Sequence, residues 1–216
     1  MIPMLLFVKI IAAIFCAVGG SLAACHWIDT LYHKKKDVLS FPQQTPAQAL
    51  QRRRYLPALL GILFAFYLLN AEFNLSVIVL TLFYIYFLVI YTVTDFEQQV
   101  IFDITLLPFS LLGFIFCLVT GTDLIAHLLA AIGGGALFLL LAILTRGGIG
   151  GGDIKLIAAL GLWLGSNALT DVVVMGLIAG GIAALFLLKF KHKKRTDTFA
   201  YGPYFTIAAL LQLFLT

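Results

Sequence analysis

Charge is what this chain has least of: Asp, Glu, Lys and Arg together make up 11% of its 216 residues, while 62% are hydrophobic. A soluble domain carries about a quarter of its residues as charges, so this composition excludes one, and the mean hydropathy of +1.07 marks a polytopic membrane protein. Alternating stretches of strand length are few, and glycines are scattered through long aliphatic runs, which argues for helices over a barrel. The fold class is therefore all-α. Cysteine is scarce too, and Cys16, Cys25 and Cys117 sit in apolar runs with no metal-ligand spacing, so they read as buried structural thiols. The net charge of +4 carries no nucleic-acid signal, because its distribution follows the membrane topology described below.

At about 20 residues per crossing, the apolar runs place eight helices near Leu5–Ile28, Tyr55–Asn70, Leu75–Val93, Ile104–Thr120, Leu124–Thr145, Ile154–Gly165, Val172–Leu188 and Phe199–Leu215. All belong to one integral-membrane domain over residues 1–216. Pro57, Pro108 and Pro203 are expected in first turns, where a missing N–H costs little. Thirteen of the fourteen basic residues occupy alternate loops: Lys34, Lys35, Lys36, Arg52, Arg53 and Arg54; then Arg146 and Lys155; then Lys189, Lys191, Lys193, Lys194 and Arg195. Lys9 is the exception, and the intervening loops carry Glu72, Asp123 and Asp171. Basic residues in short loops stay cytoplasmic. Both termini are therefore expected outside, with the basic loop at residues 29–54 inside. The stretch LAAC ending at Cys25 has the look of a lipoprotein signal, but cleavage there would export that basic loop. An uncleaved first helix is expected.

Two acidic elements carry the chemistry. The run GGIGGGDIK, Gly147 to Lys155, interrupts two apolar segments, and five of the seven residues from Arg146 to Gly152 are glycine. Gly150 and Gly152 can shape a tight turn that presents Asp153 at the cap or first turn of the next helix, where backbone N–H groups favour a charged carboxylate. A phosphate loop needs Gly-Lys followed by Ser or Thr, which is absent here. Lys155 is expected to snorkel to the interface. The second element, TDFEQQVIFD from Thr94 to Asp103, holds three acids. Asp95 follows directly on an apolar run and can tuck back into the bundle, Glu97 is expected to meet water, and Asp103 reads as an N-cap. Ionisable groups at membrane depth mark functional sites. Two carboxylates held close resist ionising together and share a proton, which suits hydrolysis by an activated water. His26, His33, His127 and His192 are too scattered to form a rival nucleophilic set.

The element GGGDIKL from Gly150 resembles the Gly-x-Gly-Asp motif of the type IV prepilin peptidases, a family of membrane aspartyl proteases. TDFEQQVIFD is similar to that family's other motif, an Asp followed eight positions later by a Pro-Asp pair, and the spacing from Asp95 to Asp103 matches. FAYGPYFTIAAL near the C-terminus and, more faintly, AVGGSLAACHWIDTLYHK near the N-terminus also resemble family segments. The resemblance implies eight transmembrane helices in a bacterial cytoplasmic membrane, catalytic Asp95 and Asp153, and cleavage of the basic leader of prepilins or pseudopilins at the cytoplasmic face. It implies no cofactor.

Two departures stand out. Phe102 replaces the Pro of the Pro-Asp pair, and the loop at residues 29–54 lacks the cysteine pairs with which many members bind zinc. A metal site is therefore not expected, and N-methyltransferase activity is doubtful. Glu97 and Asp103 are candidates for attracting the leader's basic residues. The competing readings are a presenilin-like protease for other membrane substrates, and a non-enzymatic ion-coupled transporter or assembly subunit built on a broken helix.

Overall fold

The computed structural model describes residues 2–72, 74–146, 148–190 and 200–215. The regular structure among them is helical throughout: α1 (Ile2–Lys34), two short 3-10 turns (Lys36–Val38 and Pro42–Gln44), α2 (Thr45–Asn70), α3 (Leu75–Gln98), α4 (Asp103–Thr120), α5 (Leu124–Leu144), α6 (Gly151–Phe190) and α7 (Gly202–Leu215). Five of the described helices are long and apolar enough to cross a membrane, namely α1, α3, α4, α5 and α6, and α7 is a shorter apolar helix. Gly147, the basic cluster Lys191, Lys193, Lys194 and Arg195, His192 and the expected helix start at Phe199 lie outside the described residues.

Several boundaries differ from expectation. α1 runs on to Lys34, so His26 lies within a helix. α2 begins at Thr45, ten residues before its apolar run, because Ala, Gln and Arg between Thr45 and Tyr55 are good helix formers and Pro46 sits in its first turn. Pro57 is consequently interior to α2, and Pro108 is interior to α4. Pro203 alone of the three stands in a first turn. The expected sixth and seventh helices are both present and are described together as α6; non-helical backbone at Gly165 (φ 69°, ψ −176°) separates them where the sixth was expected to end. Asp103 is not an N-cap: Phe102 holds that position and Asp103 opens the first turn of α4.

The chain divides into two compact units, Met1–Ile90 and Tyr91–Thr216, with the boundary inside α3. In the first unit α1 packs on α2, whose buried stripe, Arg52, Leu56, Leu60, Phe64 and Leu68, repeats every fourth residue. Arg52 is fully buried and is charge-paired with Asp29 at 2.5 Å, its guanidinium over the Tyr32 ring. A buried charge requires such a partner. Lys9, the residue outside the basic-loop pattern, donates to the Ala71 carbonyl at 3.1 Å and the Leu69 carbonyl at 3.4 Å. It thereby caps the C-terminal end of α2, where a cation suits the free carbonyls. Cys25 is buried, but Cys16 is exposed on α1.

In the second unit α6 is the central element, packed against α5, α7 and α4. Its Trp163 donates to the Phe109 carbonyl at 2.9 Å and stacks on the Phe109 ring. Phe138 of α5 meets Phe205 of α7 edge to face. α7 buries Phe205, Thr206, Ala208 and Ala209, and the Thr206 hydroxyl hydrogen-bonds Thr92 of α3 at 2.7 Å. These contacts fix the end of α3, the start of α6 and the start of α7 within one unit.

Candidate active site

Asp95 lies in the last turn of α3. The helix ends there because Gln99 adopts a left-handed conformation (φ 53°) and donates its N–H to the Asp95 carbonyl at 2.9 Å, an end usually given to glycine. The turn buries one face, with Thr94, Asp95 and Gln98 enclosed and Phe96 exposed. The Asp95 side chain is 5% exposed, and its Oδ2 makes no hydrogen bond of ordinary geometry with the described residues.

Asp153 is the third residue of α6 and is 8% exposed. Gly150 precedes the helix, and its carbonyl accepts from the N–H of Asp153 at 3.1 Å and of Ile154 at 3.3 Å. The Asp153 carboxylate reaches back to the Gly150 backbone, as acids near a helix start do. Gly152 faces Ile101, whose Cβ would lie 3.1 Å from a methyl group placed on that glycine. The glycine-rich turn thus holds α6 close to the α3–α4 connection.

Gly202, the first residue of α7, brings the two acids together. A methyl group on it would lie 2.6 Å from Asp95 Oδ2, 3.0 Å from Ile101 Cδ1 and 3.1 Å from Asp153 Oδ1. The two carboxylate oxygens are therefore no farther apart than the sum of the two oxygen distances. The Gly202 backbone also faces the Asp95 carboxylate. Burying acids this way is unfavourable unless they are paired or used. Asp95 and Asp153 meet across a gap of 58 positions, at the ends of two helices and against the N-terminus of a third.

The remaining acids stand apart from this pair. Glu97 is half-buried in α3, and Asp103 is exposed. Lys155 does not simply extend to the interface: its Nζ pairs with Asp103 Oδ2 at 2.6 Å. Asp123 caps α5, accepting from the N–H of Ile125 at 3.0 Å. His127 is taken up by the Leu162 carbonyl at 2.9 Å. Gly202 and Ile101 were not among the expected site residues. The start of an apolar helix at Tyr-Gly-Pro, within the segment FAYGPYFTIAAL, marked the neighbourhood of Gly202 but not its contact with the acids.

Residues 82–185, which include both acids, match the Type IV leader peptidase family. The chain is 38% identical over 128 residues to a protein of Neisseria gonorrhoeae named "Prepilin leader peptidase/N-methyltransferase", covering 56% of this chain and 43% of that protein. A protein of the same name from Aeromonas salmonicida is 32% identical over 166 residues, which is 73% of this chain and 55% of the relative. One from Escherichia coli (strain K12) is 29% identical over 136 residues, 60% of each. The chain thus spans about half the length of the curated relatives it matches. No solved structure matches it.

Proposed function

This chain belongs to the type IV leader peptidase family, and from that premise we propose that it is an aspartyl endopeptidase of the bacterial cytoplasmic membrane, cutting the leader of prepilins or pseudopilins at the cytoplasmic face. The observation that carries this reading is the convergence of two buried carboxylates, Asp95 and Asp153, on Gly202.

The helix ends support a division of roles. Asp153 sits in the first turn of α6, where aligned N–H groups support a negative charge, whereas Asp95 sits in the last turn of α3, where carbonyls oppose one. Asp153 is the ionised member and takes a proton from a water held between the pair as that water attacks the scissile carbonyl. Asp95 is the protonated member and donates a hydrogen bond to the carbonyl oxygen. As the tetrahedral intermediate collapses, a carboxyl proton passes to the leaving nitrogen, and the C–N bond breaks. The pair then holds one proton again, and its titration belongs to both groups together. Gly202 leaves room for this exchange because it has no side chain.

Incubating the purified chain with a panel of prepilins and of unrelated single-span proteins, and weighing the products, tests the reading. Cleavage confined to the prepilins at the end of the basic leader is the expected result. Cleavage of the unrelated spans alone, or of nothing, overturns it.

A further inference from the structure

The short connection from α3 to α4, residues 99–102, is held at both ends. Gln99 closes α3 in its left-handed conformation, and the Phe102 carbonyl accepts from the Thr105 N–H at 3.0 Å and from the Thr105 hydroxyl at 2.7 Å. Thr105 is anchored in turn, because its own carbonyl accepts from the Tyr91 hydroxyl at 2.9 Å. Between these fixed points Ile101 turns inwards and is 7% exposed.

The Ile101 side chain stands against two glycines at once. A methyl group on Gly152, the residue before Asp153, would lie 3.1 Å from Ile101 Cβ and 3.7 Å from its Cγ1, and one on Gly202 would lie 3.0 Å from its Cδ1. The second of these positions is the one that Asp95 Oδ2 and Asp153 Oδ1 also approach. Ile101 is therefore an apolar wall beside both carboxylates, and it meets the first turns of α6 and α7 at residues that have no side chain of their own. We infer that Ile101 is a positioning residue for the reaction: it is the spacer that sets the starts of α6 and α7 against the end of α3, and with them the working separation of Asp95 and Asp153. The inference rests on the peptidase reading. Truncating this side chain leaves a void next to two carboxylates, a surrounding polar enough to hold water, and the helix starts settle only partly into the space. Water there would solvate each acid singly, and the pair would lose its register. A misplacement of about 1 Å can cost a reaction about a hundredfold in rate. Substrate binding along the rest of the chain does not depend on that register, so the loss falls on kcat.

Ile101→Val removes the Cδ1 methyl that faces Gly202, and Ile101→Ala removes the rest of the wall. Leu169→Val and Leu169→Ala are the matched truncations: Leu169 is 5% exposed, lies beyond the Gly165 break, and its Cδ2 would be 2.9 Å from a methyl group on Gly134 of α5. All four variants are compared with wild type by cleavage kinetics on a full prepilin in micelles. Binding is measured for a leader-junction peptide with a secondary alcohol in place of the scissile carbonyl. The expected result is a fall in kcat of about threefold for Ile101→Val and about a hundredfold for Ile101→Ala, with KM within about twofold of wild type. Affinity for the alcohol peptide falls in step with kcat, because its tetrahedral centre resembles the intermediate that the two acids hold. The Leu169 variants keep the wild-type kcat. Unchanged kcat in both Ile101 variants, an equal fall in the Leu169 variants, or a rise in KM with kcat retained overturns the inference. Where Ile101→Ala does not fold, Ile101→Val decides alone, and wild-type kcat with wild-type affinity for the alcohol peptide overturns the spacer. If wild type cleaves no prepilin, the peptidase reading itself fails, a result distinct from any of these.

Discussion

Asp95 and Asp153 are costly residues for a fold to keep. Each is more than nine-tenths buried, and Asp95 Oδ2 faces a second carboxylate and a glycine instead of a cation. Residues kept for chemistry at such cost leave a signature on replacement, because the amide removes charge repulsion while preserving shape. Asp95→Asn and Asp153→Asn should each lower prepilin cleavage by about a thousandfold, within the range general acid–base groups supply, while thermal unfolding shifts by less than about 1 kcal/mol, or upwards for Asp95→Asn. A variant that cleaves near the wild-type rate, or that fails to insert, removes that residue from the pair. Asp103→Asn should be mild by comparison, because its exposed ion pair with Lys155 is worth about 0.5 kcal/mol. Both central acids are legible in the sequence, since each stands at the edge of an apolar run. Gly202 is not. Its role depends on a contact across 107 positions to Asp95, and nothing in Tyr-Gly-Pro says which carboxylate the missing side chain would strike. The Asp103–Lys155 pair was hidden for the same reason.

At the scale of elements, α6 shows how a break is stabilised inside an apolar helix. Gly165 adopts a backbone conformation open essentially to glycine alone, which leaves helix carbonyls short of their usual N–H partners. The Leu162 carbonyl takes instead the His127 ring at 2.9 Å and the Cys117 thiol at 3.2 Å. Two side chains that look inert in the sequence therefore hold the break from α5 and α4. Gly165→Ala should destabilise the protein by about 1–3 kcal/mol, both through strain and because the new methyl would sit 3.1 Å from His127 Nε2. Chemical or thermal unfolding in detergent measures this, and a shift below about 0.5 kcal/mol would show that the helix straightens freely. The apolar cores of the helices were readable from composition because burial and bilayer both demand it. Their ends were not, since the polar first third of α2 and the interior positions of Pro57 and Pro108 are decided by packing that hydropathy does not record.

For the whole molecule, the distribution of charge argues one orientation. With Lys9 engaged by the α2 carbonyls, the remaining basic residues cluster in the sequence at 34–54, 146–155 and 189–195, at alternate ends of the apolar runs. In a variant without native cysteines, a new cysteine at position 36 or 193 should react only from the cytoplasmic side, and one at position 123 only from outside. Labelling of position 36 from outside would reverse the assignment of the site to the cytoplasmic face. The same loop bears on metal and methyl chemistry. A structural zinc site needs four closely spaced ligands, and residues 29–54 offer one histidine, His33, and no cysteine. Their two acids are Asp29 and Asp37, and Asp29 is already engaged by Arg52 at 2.5 Å and Arg53 at 3.1 Å. Chelators should therefore neither unfold this protein nor slow its cleavage of prepilins. Loss of activity together with stoichiometric release of metal would contradict that. The relatives carry N-methyltransferase in their names, and the portion this chain matches in them is about half their length. Product made by the purified protein with S-adenosylmethionine present should carry an unmodified N-terminus by mass spectrometry. A gain of one methyl mass, absent from the Asp95→Asn control only because no new terminus forms there, would show that methyl transfer needs neither the cysteines nor a metal in this loop.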